Sequence, residues 1–365
     1  MPVISRCTIL ASAILLGSAA LMLAPPARGA EIKPGDSPGC QIKLDGSIQA
    51  GDAEKLDAAF AALPTDDGHG AKLCLNSPGG NYDEALKMIS IVLKRSNVAT
   101  VVDRGAQCYS ACAFLFLAGN SQASEDGELA PDRTLDVSAT LGFHAPYLKG
   151  GTGTDVAEVT IENFRRGVNA IAKMLEMDRR ELFPRGLLAK ALQVAPNYLL
   201  YVDTIEKAGV WSVKLKGFAA PNTLTDRMLD QACRNKDMWT NYSHTFLARP
   251  ADDPDELHGY RESDFPEIRG TGQPVKLTGG KYRTVLDLFG YEATNICVID
   301  VYQRAPQGLF LSLTMVPAEQ PGPDPGQFAQ YVDARLDDPL SLAGISTPLW
   351  YVYSPETTLK SIAQP

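Results

Sequence analysis

The stretch KLCLNSPGG, residues 72–80, contains the pattern that decides the fold. Lys72 to Leu75 has the short apolar run of a buried strand, and the Ser-Pro-Gly-Gly that follows ends this strand in a turn. From Asp83 to Leu93 the apolar residues recur at helical spacing. A strand that leads through a turn into a helix is the repeating unit of an α/β fold with a mainly parallel sheet.

The flanking segments repeat this alternation. The apolar patterns predict further strands and helices, at 41–48, 53–63, 98–102 and 110–117. Val98 to Val102 is a β-branched run, which is typical of parallel strands that are buried on both faces. We therefore predict that residues 30–220 form an α/β domain in which helices connect parallel strands by right-handed crossovers.

The later parts of the chain have a different character. Residues 121–140 are polar and acidic, which favours a surface insertion, and residues 156–178 and 181–192 have helical periodicity. Beyond about residue 220 the sequence is aromatic, β-branched and rich in turns, so 224–365 is predicted to be a second, mostly β domain of unknown role. Its candidate strands are Tyr282–Leu288, Ile296–Tyr302, Leu309–Met315 and Leu349–Tyr353.

The N-terminal segment has the pattern of an export signal. Arg6 precedes an apolar run of 15 residues, Ile9 to Leu23, and Ala27 and Gly29 place small residues where a signal peptidase requires them. We interpret residues 1–29 as a signal peptide that is cleaved after Gly29. An apolar run of this length is short for a membrane span, which needs about 20 residues. The mature chain is then predicted to be periplasmic or secreted and without a membrane span, while an uncleaved anchor remains the alternative.

Composition and charge exclude several classes of function. The chain has 45% apolar and 21% charged residues, which is ordinary for a globular protein. Its formal net charge of −9 argues against nucleic acid as a partner. The sequence contains no phosphate-binding glycine loop, no dinucleotide fingerprint and no set of zinc ligands, so no cofactor and no metal are predicted.

Six cysteines remain after the predicted signal peptide. An even number in an exported chain indicates disulfides, although six cysteines allow 15 connectivities. The pairing that keeps each bridge within one local unit is Cys40–Cys74, Cys108–Cys112 and Cys233–Cys297. The alternative is that one pair remains as buried thiols.

Three short motifs contain the parts that acyl-transfer chemistry needs. Pro78 fixes the backbone of a turn in which Gly79 and Gly80 can direct N–H groups at an oxyanion. Ser110 lies at the predicted start of a buried helix, where the helix N-terminus stabilises negative charge. His144 follows an apolar strand and can serve as a base. The structural alternatives are an ordinary turn, a helix N-cap and a buried structural histidine.

Taken together, the motifs SPGG (77–80), CYSAC (108–112) and GFHAP (142–146) resemble the Clp-type serine peptidase branch of the Clp/crotonase superfamily. The resemblance covers about 40–215 and is closest to exported Gram-negative members, in which cysteines bracket the serine. It implies that Ser110 is the nucleophile and His144 the general base. It also implies that the backbone N–H groups of Gly80 and Ala111 form the oxyanion hole.

The chain departs from this family at the third member of the triad. The family places an acid before the glycine that corresponds to Gly209, yet residues 182–202 contain no carboxylate. Asn197 is the best available group to orient His144, as an asparagine does in some cysteine peptidases. Lys190 is the only loose candidate for a Ser–Lys pair. The third residue of the triad therefore remains open.

These observations predict a periplasmic serine hydrolase, specifically a peptidase that acts on a peptide or protein through an acyl-enzyme. One alternative is an ester or thioester hydrolase of the same fold. Another is a non-catalytic envelope scaffold that binds its partner through residues 224–365. The members of this family that form barrels oligomerise, so the resemblance leaves open whether this protein is a homo-oligomer.

Overall fold

The structure is a computed structural model in which the following residues are described: 29–37, 39–64, 70–122, 129–146, 156–177, 182–195, 197–241, 267–270, 275–277, 281–289, 294–304, 308–318 and 347–364. The predicted signal peptide lies outside these residues, apart from Gly29. No helix in the described part of the chain is long and apolar enough to cross a membrane.

Strands and helices are interspersed up to β11, and after α7 the described elements are mostly strands. The strands are β1 (Glu31–Ser37), β2 (Cys40–Asp45), β3 (Ala71–Asn76), β4 (Val98–Val102), β5 (Gln107–Tyr109), β6 (Asn120–Gln122), β7 (Leu129–Pro131), β8 (Arg133–Asp136), β9 (Thr140–Phe143), β10 (Leu200–Tyr201), β11 (Lys214–Lys216), β12 (Glu267–Gly270), β13 (Val275–Leu277), β14 (Lys281–Phe289), β15 (Thr294–Arg304) and β16 (Gly308–Ala318). The helices are α1 (Asp52–Ala61), α2 (Tyr82–Leu93), α3 (Ala111–Phe116), α4 (Val156–Met177), α5 (Arg185–Gln193), α6 (Ile205–Val210) and α7 (Asp226–Asn241).

The main sheet has a parallel centre and antiparallel edges. Strands β2, β3, β4, β8 and β11 are neighbours in this order, and each pair is parallel. At the edges, β1 pairs antiparallel with β2, and β6 pairs antiparallel with both β4 and β7. A separate three-stranded sheet has the order β10-β9-β5. The predicted α/β class is confirmed, and the sheet is mixed because its edge strands run antiparallel.

Helix α3 occupies the centre of the hydrophobic core. All six of its residues are fully buried, and they belong to a cluster that also contains the apolar faces of α1 and α2. Helix α2 begins at the N-cap Asn81, whose side chain accepts a hydrogen bond from the backbone N–H of Glu84. Because α3 is enclosed on all sides, the residue at its N-terminus is held by the packing of the whole domain.

The interpretation of 121–140 as a surface insertion is wrong for the described part of that segment. Strand β8 pairs parallel with β4, and Arg133 and Leu135 are fully buried in it. The Arg133 guanidinium donates to the carbonyl oxygens of Leu117 and Ser212, at 3.0 and 3.2 Å. A buried charge with such partners is stable in a core, whereas a hydropathy pattern scores it as surface.

Beyond residue 224 the chain contains both a helix and a sheet. Strands β12, β14, β15 and β16 form an antiparallel sheet, with β13 also paired to β14. Helix α7 was not predicted, and the candidate strand at 349–353 is wrong because Leu349–Val352 forms a 3-10 helix. Trp239 of α7 stacks on Trp350 at a centroid distance of 5.2 Å, and both rings belong to the main core. The division at 220–224 stays a prediction.

The cysteines are joined in the three predicted pairs. Cys40–Cys74 links β2 to β3, Cys108–Cys112 links β5 to α3, and Cys233–Cys297 links α7 to β15. Disulfides of this kind are typical of proteins that fold in an oxidising compartment.

Candidate active site

Three backbone segments meet where strand β5 passes into helix α3. Strand β5 pairs parallel with β9, so that Tyr109 lies opposite Gly142, and the N–H of Ser110 donates to the Gly142 carbonyl at 3.0 Å. His144 follows two residues after Gly142. On the other side of β5, the backbone of Ser77 bonds to β5 twice, once as a donor and once as an acceptor. The structure thus brings the three sequence motifs together around a single strand.

Ser110 has a backbone conformation that is rare for a residue with a side chain. Its φ is 55° and its ψ is −123°, and it occupies the N-cap position immediately before α3. The half-buried Ser110 accepts a hydrogen bond from the Phe114 N–H on its carbonyl, but its side chain makes no capping bond. Such strained positions cost about 1–3 kcal/mol and cluster at functional sites. The N-cap alternative for Ser110 therefore loses its main support.

The glycine turn touches the serine directly. Gly79 has a φ of 90°, which disfavours any other residue. A Cβ at this position would fall 2.5 Å from the Tyr109 carbonyl oxygen, 2.8 Å from Ser110 Cβ and 3.1 Å from the Ala111 nitrogen. Only a residue without a side chain permits this approach.

The two N–H groups assigned to the oxyanion hole have no protein acceptor among the described residues. The backbone hydrogen bonds of this region include neither the Gly80 N–H nor the Ala111 N–H as a donor. The Ala111 N–H also lies in the first turn of α3, where helical N–H groups lack an intrahelical partner. Both groups remain available for an oxyanion.

Residues 46–49 hold the glycine turn in place, and the sequence analysis missed them. The Ile48 N–H donates to the Gly79 carbonyl at 2.9 Å, and the Asn81 N–H donates to the Ile48 carbonyl at 2.8 Å. The Ser47 hydroxyl also donates to the Gly79 carbonyl, at 3.2 Å. The only sequence signal for this role is position, because these residues follow the carboxyl end of β2, next to the strand that leads into the turn.

His144 is buried, and its tautomer can be assigned from its neighbour. Its side chain is 7% exposed, and Nδ1 lies 2.7 Å from the carbonyl oxygen of Ala145. A carbonyl oxygen only accepts, so Nδ1 carries the proton of this bond. In the neutral ring the lone pair is then on Nε2, and this nitrogen is suited to act as a base.

Asn197 lies on the segment that enters β10, and β10 pairs with β9, the strand that ends just before His144. Strand β10 pairs antiparallel with β9, and Leu200 is opposite Phe143, so the residues before Leu200 run alongside the end of β9. Asn197 itself is exposed in the turn between Ala195 and Tyr198. Its role as the group that orients His144 stays a prediction.

Lys190 lies on α5 and interacts with a different group. It is close enough to Glu206 to lower the pKa of that carboxyl, although burial and Glu356 outweigh it and raise this pKa to about 7. Glu206 is 8% exposed and belongs to α6. Sequence reasoning did not single out this carboxyl, because its burial depends on distant parts of the chain.

An aromatic wall adjoins the serine and histidine. Phe114 of α3 packs edge-to-face against Phe143 and Tyr82, at centroid distances of 5.7 and 5.5 Å. The Tyr82 hydroxyl is buried and has no hydrogen-bond partner among the described residues, and burial raises the pKa of this phenol. The apolar setting excludes water from one side of the motifs.

No protein-family model matches the chain, and a search of curated proteins finds no match. The features that bear on function are therefore the geometry of residues 77–80, 108–112 and 142–144.

Proposed function

We propose that the protein is a periplasmic serine hydrolase of the Clp type in the Clp/crotonase superfamily, and that it cleaves peptides through an acyl-enzyme. The observation that carries this proposal is the contact between the Gly79 turn and Ser110, at the start of a buried helix. Two N–H groups without acceptors among the described residues then flank a strained serine that follows β5, and β5 pairs with β9, the strand that precedes His144. Nucleophile, base and oxyanion donors are the three parts of the acyl-transfer template.

The proposed reaction follows from these positions. Ser110 Oγ attacks the carbonyl carbon of the substrate while His144 Nε2 takes the hydroxyl proton. The N–H groups of Gly80 and Ala111 donate to the oxyanion of the tetrahedral intermediate. His144 then gives its proton to the leaving amine, and the acyl group remains on Ser110. A water molecule, deprotonated by His144, hydrolyses this ester and restores the free serine.

Two further residues act indirectly in this mechanism. Pro78 fixes the turn that presents the oxyanion donors. Asn197 is proposed to orient the His144 ring by accepting from Nδ1 in place of the Ala145 carbonyl, which accepts from it in this structure. Since Asn197 is exposed, its hydrogen bond would be weakened by competition with water, and Asn197→Ala should reduce the rate less than His144→Ala does. Equal losses in the two variants would show that Asn197 is as essential as the base.

The proposed compartment rests on the cysteines and on the N-terminal sequence pattern. Three disulfides are typical of an oxidising environment, and the apolar N-terminal run is typical of an export signal. The Cys108–Cys112 bridge spans Ser110 and closes the turn in which it lies.

Turnover by matched variants tests the proposed function. Purified Ser110→Ala and His144→Ala should each lose hydrolysis of peptide and chromogenic ester substrates by about 10³-fold or more. Ser121→Ala, the same chemical change on strand β6, is the control and should retain the full rate. Hydrolysis of esters with no cleavage of any peptide would favour the esterase alternative. If turnover is unchanged in both site variants, Ser110 and His144 are not catalytic, and the non-catalytic scaffold is the remaining alternative.

A further inference from the structure

The residue that follows the predicted cleavage point is part of the core. Ala30 is 2% exposed, and its backbone nitrogen donates to Asp52 Oδ2 at 2.9 Å. Gly29 packs beside this carboxylate, because a Cβ built on Gly29 would fall 2.6 Å from Asp52 Oδ1. Asp52 is fully buried at the start of α1. The point at which the export signal would be removed therefore lies against a buried anion.

The Asp52 carboxylate has an uneven set of donors. Oδ1 accepts from Lys55 Nζ at 2.8 Å, and the Lys55 side chain is 52% exposed. Among the described residues, Oδ2 accepts from two neutral backbone groups, the N–H of Gln49 at 2.8 Å and the N–H of Ala30. A buried carboxylate is stabilised far more by a cationic donor than by a neutral one. The buried side of the carboxylate would gain most from a positive charge at Ala30.

We propose that Asp52 is the binding site for the α-ammonium group that processing creates on Ala30. A signal peptidase adds water across the Gly29–Ala30 peptide bond, which leaves a carboxylate on Gly29 and an amine on Ala30. An α-amine has an ordinary pKa of about 7.7–8.0, so near neutral pH it takes up a proton. The nitrogen that donates to Asp52 as an amide then donates to it as an ammonium. This inference does not depend on the proposed hydrolase activity.

This ion pair is connected to the glycine turn of the candidate active site. Asp52 accepts from the N–H of Gln49, and the preceding residue, Ile48, exchanges backbone hydrogen bonds with Gly79 and Asn81. The Gln49 side chain also donates to Ser47, whose hydroxyl donates to Gly79. Tightening of the contact at Asp52 would thus steady the loop that supports the oxyanion donors. Removal of the signal would complete the support of the site.

The charges that face the new ammonium are of both signs. Lys55 is the nearest cation and is bonded to the same carboxylate, so it opposes a second positive charge. Glu84 is buried nearby and accepts from the N–H of Gly51 and of Ala53, and its other oxygen pairs with Lys87. Asp52 is the only one of these groups that contacts the Ala30 nitrogen among the described residues.

The pKa of the Ala30 amine distinguishes an amine that is bound to Asp52 from one that is buried without a partner. Burial without a partner lowers the pKa of an amine, whereas a carboxylate at hydrogen-bond distance raises it. The experiment measures the rate at which an acylating reagent modifies the α-amine of the mature, periplasmically expressed protein as a function of pH, with mass spectrometry as the readout. We expect a pKa at least one unit above the ordinary value. The neutral, reactive fraction of the amine is then smaller, and labelling near pH 8 should be about fivefold slower than for an unfolded reference.

Two matched forms complete the test. A form that begins at Gly29, produced by removal of a tag, keeps Asp52 but moves the ammonium by one residue, and its amine should label faster than that of Ala30. In Asp52→Asn the amine pKa should fall to or below its ordinary value. A start other than Ala30 in the mature protein, or an Ala30 amine whose pKa is not raised, would overturn the proposal. The Gly29 form keeps the test decisive if Asp52→Asn does not fold.

Discussion

Gly79 and Gly51 form a matched pair for testing the contact between the glycine turn and the nucleophile. Their φ values are nearly equal, 90° and 92°, so an alanine at either position is forced into a positive φ, at a cost of about 1–3 kcal/mol. Their surroundings differ. A Cβ on Gly51 meets no atom within 4 Å, whereas a Cβ on Gly79 falls 2.5 Å from Tyr109 O and 2.8 Å from Ser110 Cβ.

The expected effects of Gly79→Ala on stability and on the labelling rate follow from these distances. Ordinary contacts of a Cβ begin at 3.4 Å, so in Gly79→Ala the Tyr109 carbonyl must retreat by about 0.9 Å (3.4 minus 2.5), and Ser110 moves with it. Such overpacking costs about 1–3 kcal/mol beyond the strain. A misplacement near 1 Å in a catalytic group reduces a rate by about 10²-fold.

The two variants are compared by chemical denaturation and by the rate of labelling with a fluorophosphonate. We expect Gly79→Ala to be less stable than Gly51→Ala by about 1–3 kcal/mol and to label at Ser110 about 10²-fold more slowly. If both variants label at the wild-type rate, the turn does not position the nucleophile, and the reasoning from the contact is refuted.

Three further changes test other parts of the structure. The Cys40–Cys74 and Cys108–Cys112 bridges span 34 and 4 residues. Replacing each pair by serines should lower the free energy of unfolding by about 4 and about 2 kcal/mol, respectively. Only the replacement of Cys108 and Cys112 should slow the labelling of Ser110. Tyr82→Phe removes an unpartnered buried hydroxyl, and its melting temperature should not fall. Burial, and secondly Glu356, raises the pKa of Glu206 from 4.5 to about 7. The contribution of Glu206 to the free energy of unfolding should be largest below pH 4.5. As the pH rises to 7, the free energy of unfolding should fall by up to about 3 kcal/mol, and Glu206→Gln should lack this fall.

Local patterns were sufficient for the centre of the fold. The β-branched run at Val98–Val102 forms β4 with the predicted bounds, and the helical spacing after Gly80 forms α2 within one residue of its predicted start. Strand β8 escaped prediction because Arg133 finds its partners at the C-cap of α3 and on the segment after α6, and no local pattern carries that information. The 3-10 helix at Leu349–Val352 escaped for the same reason, since Trp350 packs on a helix more than 100 residues away.

The candidate site was predictable as a set of motifs but not as a geometry. The order of SPGG, Ser110 and His144 indicates which groups to bring together, and the parallel pairing of β5 with β9 then brings them together. The positive φ of Ser110 and the support of the turn by Ile48 depend on the folded chain, because both arise from contacts between segments distant in sequence.

Labelling of the mature, oxidised protein with a fluorophosphonate, followed by mapping of the modified residue, tests the central claim most directly. Such probes react with serines that a base has activated. We predict a single modified residue, Ser110, and loss of this labelling in His144→Ala while the fold is retained. Labelling that persists at Ser110 in His144→Ala, or a folded and oxidised protein that does not react at all, would contradict the claim that these residues form an active site.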